Sequence, residues 1–169
     1  MSVNGGAVPI QPSRVGLRSE SAPAGTIDDA GMIQVLIDAD NLTAPRLRAL
    51  LRALPADECR ILVVGSPAAL AQAEWPREAR VVEAVGWQAA DLILAEAYEH
   101  GDEPLVLASG DGDFGAVVAG HRGPVLVVSD RPASMLRRAA TVLDPVQDGL
   151  GALRDWFDAV LDGPDATAT

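Results

Sequence analysis

Asp38 and Asp40 close one apolar run, Val35 to Asn41, and Asp111 and Asp113 close another, Leu105 to Phe114. In an open α/β sheet, ligands bind beyond the carboxyl ends of the strands, which is where these acids would stand. If the two strands are neighbours, their carboxylates converge. At an effective dielectric near 20, two carboxylates ~5 Å apart repel by roughly 3 kcal/mol, so a cluster needs protons or a cation. Mg2+ and Mn2+ prefer carboxylate and water oxygens. Such an ion activates water and offsets charge on phosphate, so phosphodiester hydrolysis is the chemistry to expect.

The elements that must position these acids follow from apolar patterning. Ile33 to Asp38 is a continuous apolar run, as in a strand buried on both faces. Thr43 offers an N-cap and Pro45 a first-turn proline, and Leu47, Leu50, Leu51 and Leu54 then recur at helical spacing. Further strands are expected at 60–64, 80–85, 105–108 and 125–128, with a short one at 142–143. Helices are expected at 67–74, 89–100, 113–119, 133–140 and 148–161, and the one at 89–100 is apolar on most faces and should be well buried. Alternation of this kind predicts a three-layer α/β/α fold with a central parallel sheet. Right-handed crossovers favour the order 3-2-1-4-5, with the first and fourth strands side by side.

The chain of 169 residues is long enough for one domain with a substantial core. Residues 1–31, rich in Gly, Pro, Ser and Ala, read as a disordered leader; 32–162 form the domain and 163–169 a short flexible tail. No apolar run is long enough to span a bilayer, and the single cysteine, Cys59, excludes an internal disulfide. A cytoplasmic location is the expectation. The net charge of −11 argues against a strongly basic nucleic-acid binder. All thirteen basic residues are arginine.

Asp91 opens the apolar helix, just after Gly86-Trp87-Gln88. Three segments in order (Ile37-Asp38-Ala39-Asp40-Asn41, the helix start at Asp91, and Ser109-Gly110-Asp111-Gly112-Asp113-Phe114) resemble the NYN domain, a PIN-like ribonuclease family. Its motifs there are I-D-x-x-N, an internal Asp near a helix start, and S-x-D-x-D-F. Ser134-Met135-Leu136-Arg137 is similar to the family's closing S-x-x-L-R pattern, one residue shorter. The resemblance covers roughly residues 32 to 145. It implies a PIN-like fold and Mg2+- or Mn2+-dependent cleavage of RNA, single-stranded and internal. It carries over Asp38, Asp91, Asp111 and Asp113 as catalytic and metal-site acids. Asp38 and Asp111 would be direct or water-mediated ligands, with Asp91 and Asp113 holding waters or a second ion. Asn41, Ser109 and Arg46 are the candidate substrate contacts. Many relatives carry a lysine shortly before the helix Asp; here Gln88 stands at that approach, so phosphate contact falls to arginine. A homodimer or protein partner would help an acidic protein hold RNA.

Each acid also has an ordinary reading: Asp111 as a helix cap, Asp91 as a complement to a helix's positive end, Asp40 as a turn residue. Arg48, Arg52, Arg137 and Arg138 fit surface pairing as well as phosphate contact, and Trp87 fits a core edge as well as base stacking. Two other functions compete. Asp38-Ala39-Asp40-Asn41 resembles the opening of haloacid-dehalogenase-like phosphatases, with Asp38 as nucleophile and Asp40 as general acid, although that mechanism uses a lysine. A non-catalytic RNA-binding or regulatory module of the same fold is the other.

Overall fold

Along the central strand β1 (Ile33–Asp38) every residue is buried, and its side chains alternate between two cores. Ile33, Val35 and Ile37 enter one; Leu36, and by parity Gln34 and Asp38, face the other. This alternation decides which layer the carboxylate of Asp38 meets. The computed structural model describes residues 32–86 and 88–163; the expectations for residues 1–31, Trp87 and residues 164–169 lie outside the described residues.

The remaining elements are α1 (Ala44–Ala53), β2 (Cys59–Gly65), α2 (Pro67–Leu70), β3 (Arg80–Glu83), α3 (Ala89–Ala97), β4 (Leu105–Ala108), α4 (Gly115–Gly120), β5 (Val125–Val128), α5 (Ser134–Ala139), β6 (Thr141–Leu143) and α6 (Gly149–Leu161). All strand pairs are parallel, in the order β3-β2-β1-β4-β5-β6. The expected central pairing of β1 with β4 is present, with Ile37 opposite Ala108, and β6 extends the sheet by one strand. Leu47 and Leu50 of α1, Ala69 of α2, and Leu153 and Phe157 of α6 pack on one face. Leu94 of α3, Val118 of α4 and Leu136 of α5 pack on the other. Each such large side chain taken from water contributes ~1.5–3 kcal/mol. No described helix is long and apolar enough to cross a membrane.

Several elements differ from expectation. Helix α2 stops at Leu70, four residues early, and the Leu70 carbonyl accepts a hydrogen bond from the Trp75 indole at 2.9 Å. Helix α3 ends at Ala97 because Tyr98 is extended; its buried hydroxyl meets Nδ1 of His121 at 2.9 Å. Nor is α3 buried all round. Leu94 alone is fully covered, while Leu92 is 64% exposed, because only one stripe of this helix reaches the sheet. Before α4, residues Gly112–Phe114 form a 3-10 turn rather than α-helix.

Candidate metal centre

Strand parity carries β1 and β4 to the same layer. Leu36 and Leu107 share the core of α3, so Asp38, two residues past Leu36, and Ser109, two past Leu107, face that layer as well. Asp91 is in the first turn of α3, where a carboxylate also complements the helix dipole. Asp111 precedes the 3-10 turn and its Oδ1 accepts from Asp113 N at 2.9 Å, so the capping reading holds for one of its two oxygens.

Asp91, Asp111 and Asp113 each offer a carboxylate oxygen within 4.8 Å of the others. Asp38 sits deeper, 5% exposed, and lines a cleft of about 360 Å³ together with Asp40, Asp91 and Asp111. Burial, then the charges of Asp91 and Asp40, push the Asp38 carboxyl up to about 6, against the pull of the Asp40 and Asn41 amides. Asp91 is raised too, by burial and by Asp111 and Asp113. Among the described residues no ion pair joins an arginine to Asp38, Asp40, Asp91, Asp111 or Asp113. Hard oxygen donors this close together, with no described cation paired to them, fit a divalent cation of the Mg2+ or Mn2+ type.

Hydrogen bonds fix the loops that carry the acids. Asp38 Oδ1 accepts from Asp40 N at 3.1 Å. The Ser109 hydroxyl points to Asp38 Oδ2 at 3.5 Å and accepts from Asp111 N at 3.2 Å. The Asn41 side-chain oxygen accepts from Gly110 N at 2.8 Å. Asp40 accepts from Ser66 N at 2.7 Å and from the Ser66 hydroxyl at 2.6 Å, while that hydroxyl also caps α2 through Ala69 N. Gly65 allows this approach, since a Cβ there would lie 2.8 Å from the Ala39 Cβ.

The proposed substrate contacts look different in place. Ser109 is wholly buried, so it acts on Asp38 and Asp111 and cannot touch a strand of RNA. Asn41 is exposed, but its oxygen is engaged by Gly110. Arg46 is engaged with protein: its guanidinium grips buried Asp144 in two bonds of 3.0 and 2.8 Å, donates to the Thr43 hydroxyl at 3.1 Å and lies 3.6 Å from Asp130. Arg48, Arg137 and Arg138 donate to protein oxygens of Gln72, Pro132 and Ser134.

Two residues escaped the sequence reading although a signal existed. Asp130 follows β5 by two residues, as Asp111 follows β4 by three, so the strand-end argument applies to it equally. Asp144 likewise ends β6, but its partner Arg46 is 98 residues away and no local pattern links them. Compared with protein-family models, with curated proteins and with solved structures, the chain matches none.

Proposed function

We propose that the chain is a metal-dependent endoribonuclease of the PIN-like kind suggested by its NYN-like motifs, acting on single-stranded RNA in the cytoplasm. The observation that carries this reading is the meeting of Asp91, Asp111 and Asp113 within 4.8 Å, beside buried Asp38 at the carboxyl edge of a parallel sheet.

Asp91, Asp111 and Asp113 would hold Mg2+ or Mn2+, with Asp38 behind them. When bound, the ion supplies an activated water and offsets the charge that builds on a phosphodiester under attack. The chain's own residues hold the acids in place. Ser109 keeps Asp38 and the Asp111 backbone in register, and Asn41 holds the glycine loop in front of them. Asp38, buried at the back of the same cleft, would add its negative charge to the hold on the ion.

The geometry counts against a haloacid-dehalogenase-like phosphatase. Both oxygens of Asp40, the general acid of that mechanism, are engaged by Ser66, and the chain has no lysine. A labelled single-stranded RNA with Mn2+ tests the proposal: wild type cuts it, whereas Asp91→Asn and Asp111→Ala stay folded by circular dichroism and do not. Metal binding without cutting would leave a binding module. Turnover of p-nitrophenyl phosphate that is lost in Asp40→Asn would instead indicate the phosphatase.

A further inference from the structure

A negatively charged strand must approach a negatively charged cleft on a protein of net charge −11, so some cation has to receive its phosphates. We propose that Arg131, on the loop between β5 and α5, is that phosphate contact; the inference rests on the ribonuclease reading above.

Three observations support it. A second cleft of about 500 Å³, lined by Gly110, Gly112 and Arg131, shares Asp40 and Asp111 with the acid cleft. Among the described residues lining either cleft, Arg131 is the only cation. Its position is also built. The backbone N–H of Arg131 donates to the buried Ser129 hydroxyl at 3.2 Å, and Ala133 N donates to the Gly110 carbonyl at 3.0 Å, so the loops after β4 and β5 are tied together. A Cβ on Gly110 would lie 2.9 Å from the Arg131 carbonyl, so the contact is close.

The side chain, by contrast, is 90% exposed, with Asp130 as an ion-pair partner at 3.6 Å. Asp130 in turn is 3.6 Å from Arg46, which shares its charge. Arg131 thus has a fixed root and a guanidinium accessible to an incoming phosphate, for which its fork of donors is suited. Because it lines the neighbouring cleft and not the acid cleft itself, the phosphate it would take is one flanking the phosphate attacked.

Steady-state cleavage of a labelled oligouridylate with Mn2+, repeated over a range of KCl concentrations, tests this on the full chain. Arg131→Ala should raise KM about tenfold, as loss of one charge-assisted contact predicts, with kcat nearly unchanged. The slope of log kcat/KM against log salt should become shallower by about 0.7, the value for one contact to a single strand. Arg131→Lys should keep most of the slope. Arg154→Ala, a change of equal charge at an exposed position on α6, should behave as wild type. The Mn2+-induced rise in Tm should be the same in Arg131→Ala as in wild type. If wild type cuts and Arg131→Ala matches Arg154→Ala in KM and slope, the Arg131 assignment falls and the nuclease stands. Loss of the Mn2+ response in Arg131→Ala also overturns it, by placing the residue in the metal site. No cutting by wild type overturns both readings.

Discussion

The side-chain oxygen of Asn41 accepts a hydrogen bond from the backbone N–H of Gly110 at 2.8 Å, joining the loop after β1 to the loop after β4 across 69 residues of sequence. The two strands are already paired, so the bond adds little to sheet formation. It sets the separation of the loops that bear Asp38 and Asp111. Removing it in Asn41→Ala should cost about 1 kcal/mol in urea unfolding. The same variant should lose more in RNA cleavage than in stability, because a small shift of one loop alters the spacing of the acids.

Asp38 makes the metal-free protein sensitive to pH in a defined direction. Its folded value of about 6 lies above the ordinary 3.8, so the folded state holds its proton more tightly than the unfolded chain does. The stabilisation from protonation is complete below about pH 4, and is lost as pH rises through about 6. The difference amounts to about 3 kcal/mol at most. Urea unfolding in EDTA should therefore show greater stability at pH 5 than at pH 8. Asp38→Asn should flatten most of that dependence, and raise the pH 8 stability while abolishing cleavage. Asp91, raised by burial and by Asp111 and Asp113, would account for the residual slope.

The pair Arg46–Asp144 joins the start of α1 to the end of β6 and gives the opposite sign. Burial by itself would raise the Asp144 carboxyl, but Arg46 and the amides of Val146 and Gln147 hold it below the usual carboxylate range. Its contribution is present above about pH 4 and lost as pH falls through the lower folded value. Arg46→Ala strands a buried charge and should cost about 3 kcal/mol near neutrality. Adding Asp144→Ala should recover part of that loss. The gap between wild type and Arg46→Ala should narrow below pH 4, as followed by thermal unfolding.

Gln88, at the N-cap of α3, adopts φ 59° and ψ 7°, a left-handed conformation that no other described residue besides glycine shows with positive φ. For a side chain of this kind the cost is of order 1 kcal/mol. Gln88→Gly should raise Tm slightly by relieving it, the gain being trimmed by the greater entropy of the unfolded glycine. Gln88→Val should lower Tm, since a β-branched side chain tolerates positive φ poorly.

The layers were legible because apolar runs such as Ile33–Asp38 and Leu105–Ala108 alternate with helical periodicity, whereas the β1–β4 adjacency rested on the handedness of crossovers and not on any residue pattern. The acids were legible for the same reason: each stands at the end of a recognisable element. Roles that depend on distant partners were not. Arg46 looks like a free surface cation until Asp144 is beside it, and Ser109 looks available until the fold encloses it. Helix α3 misled through composition, since alanine-rich, leucine-rich sequence gives no sign of how much of its circumference the sheet will cover.

The three carboxylates that approach one another come from chain segments 20 or more residues apart, Asp91 on one helix and Asp111 and Asp113 beyond the next strand. A growing chain on the ribosome therefore cannot bring these acids together until β4 and the loop after it have emerged. The three acids thus meet through the packing of the central strands and not through any local turn.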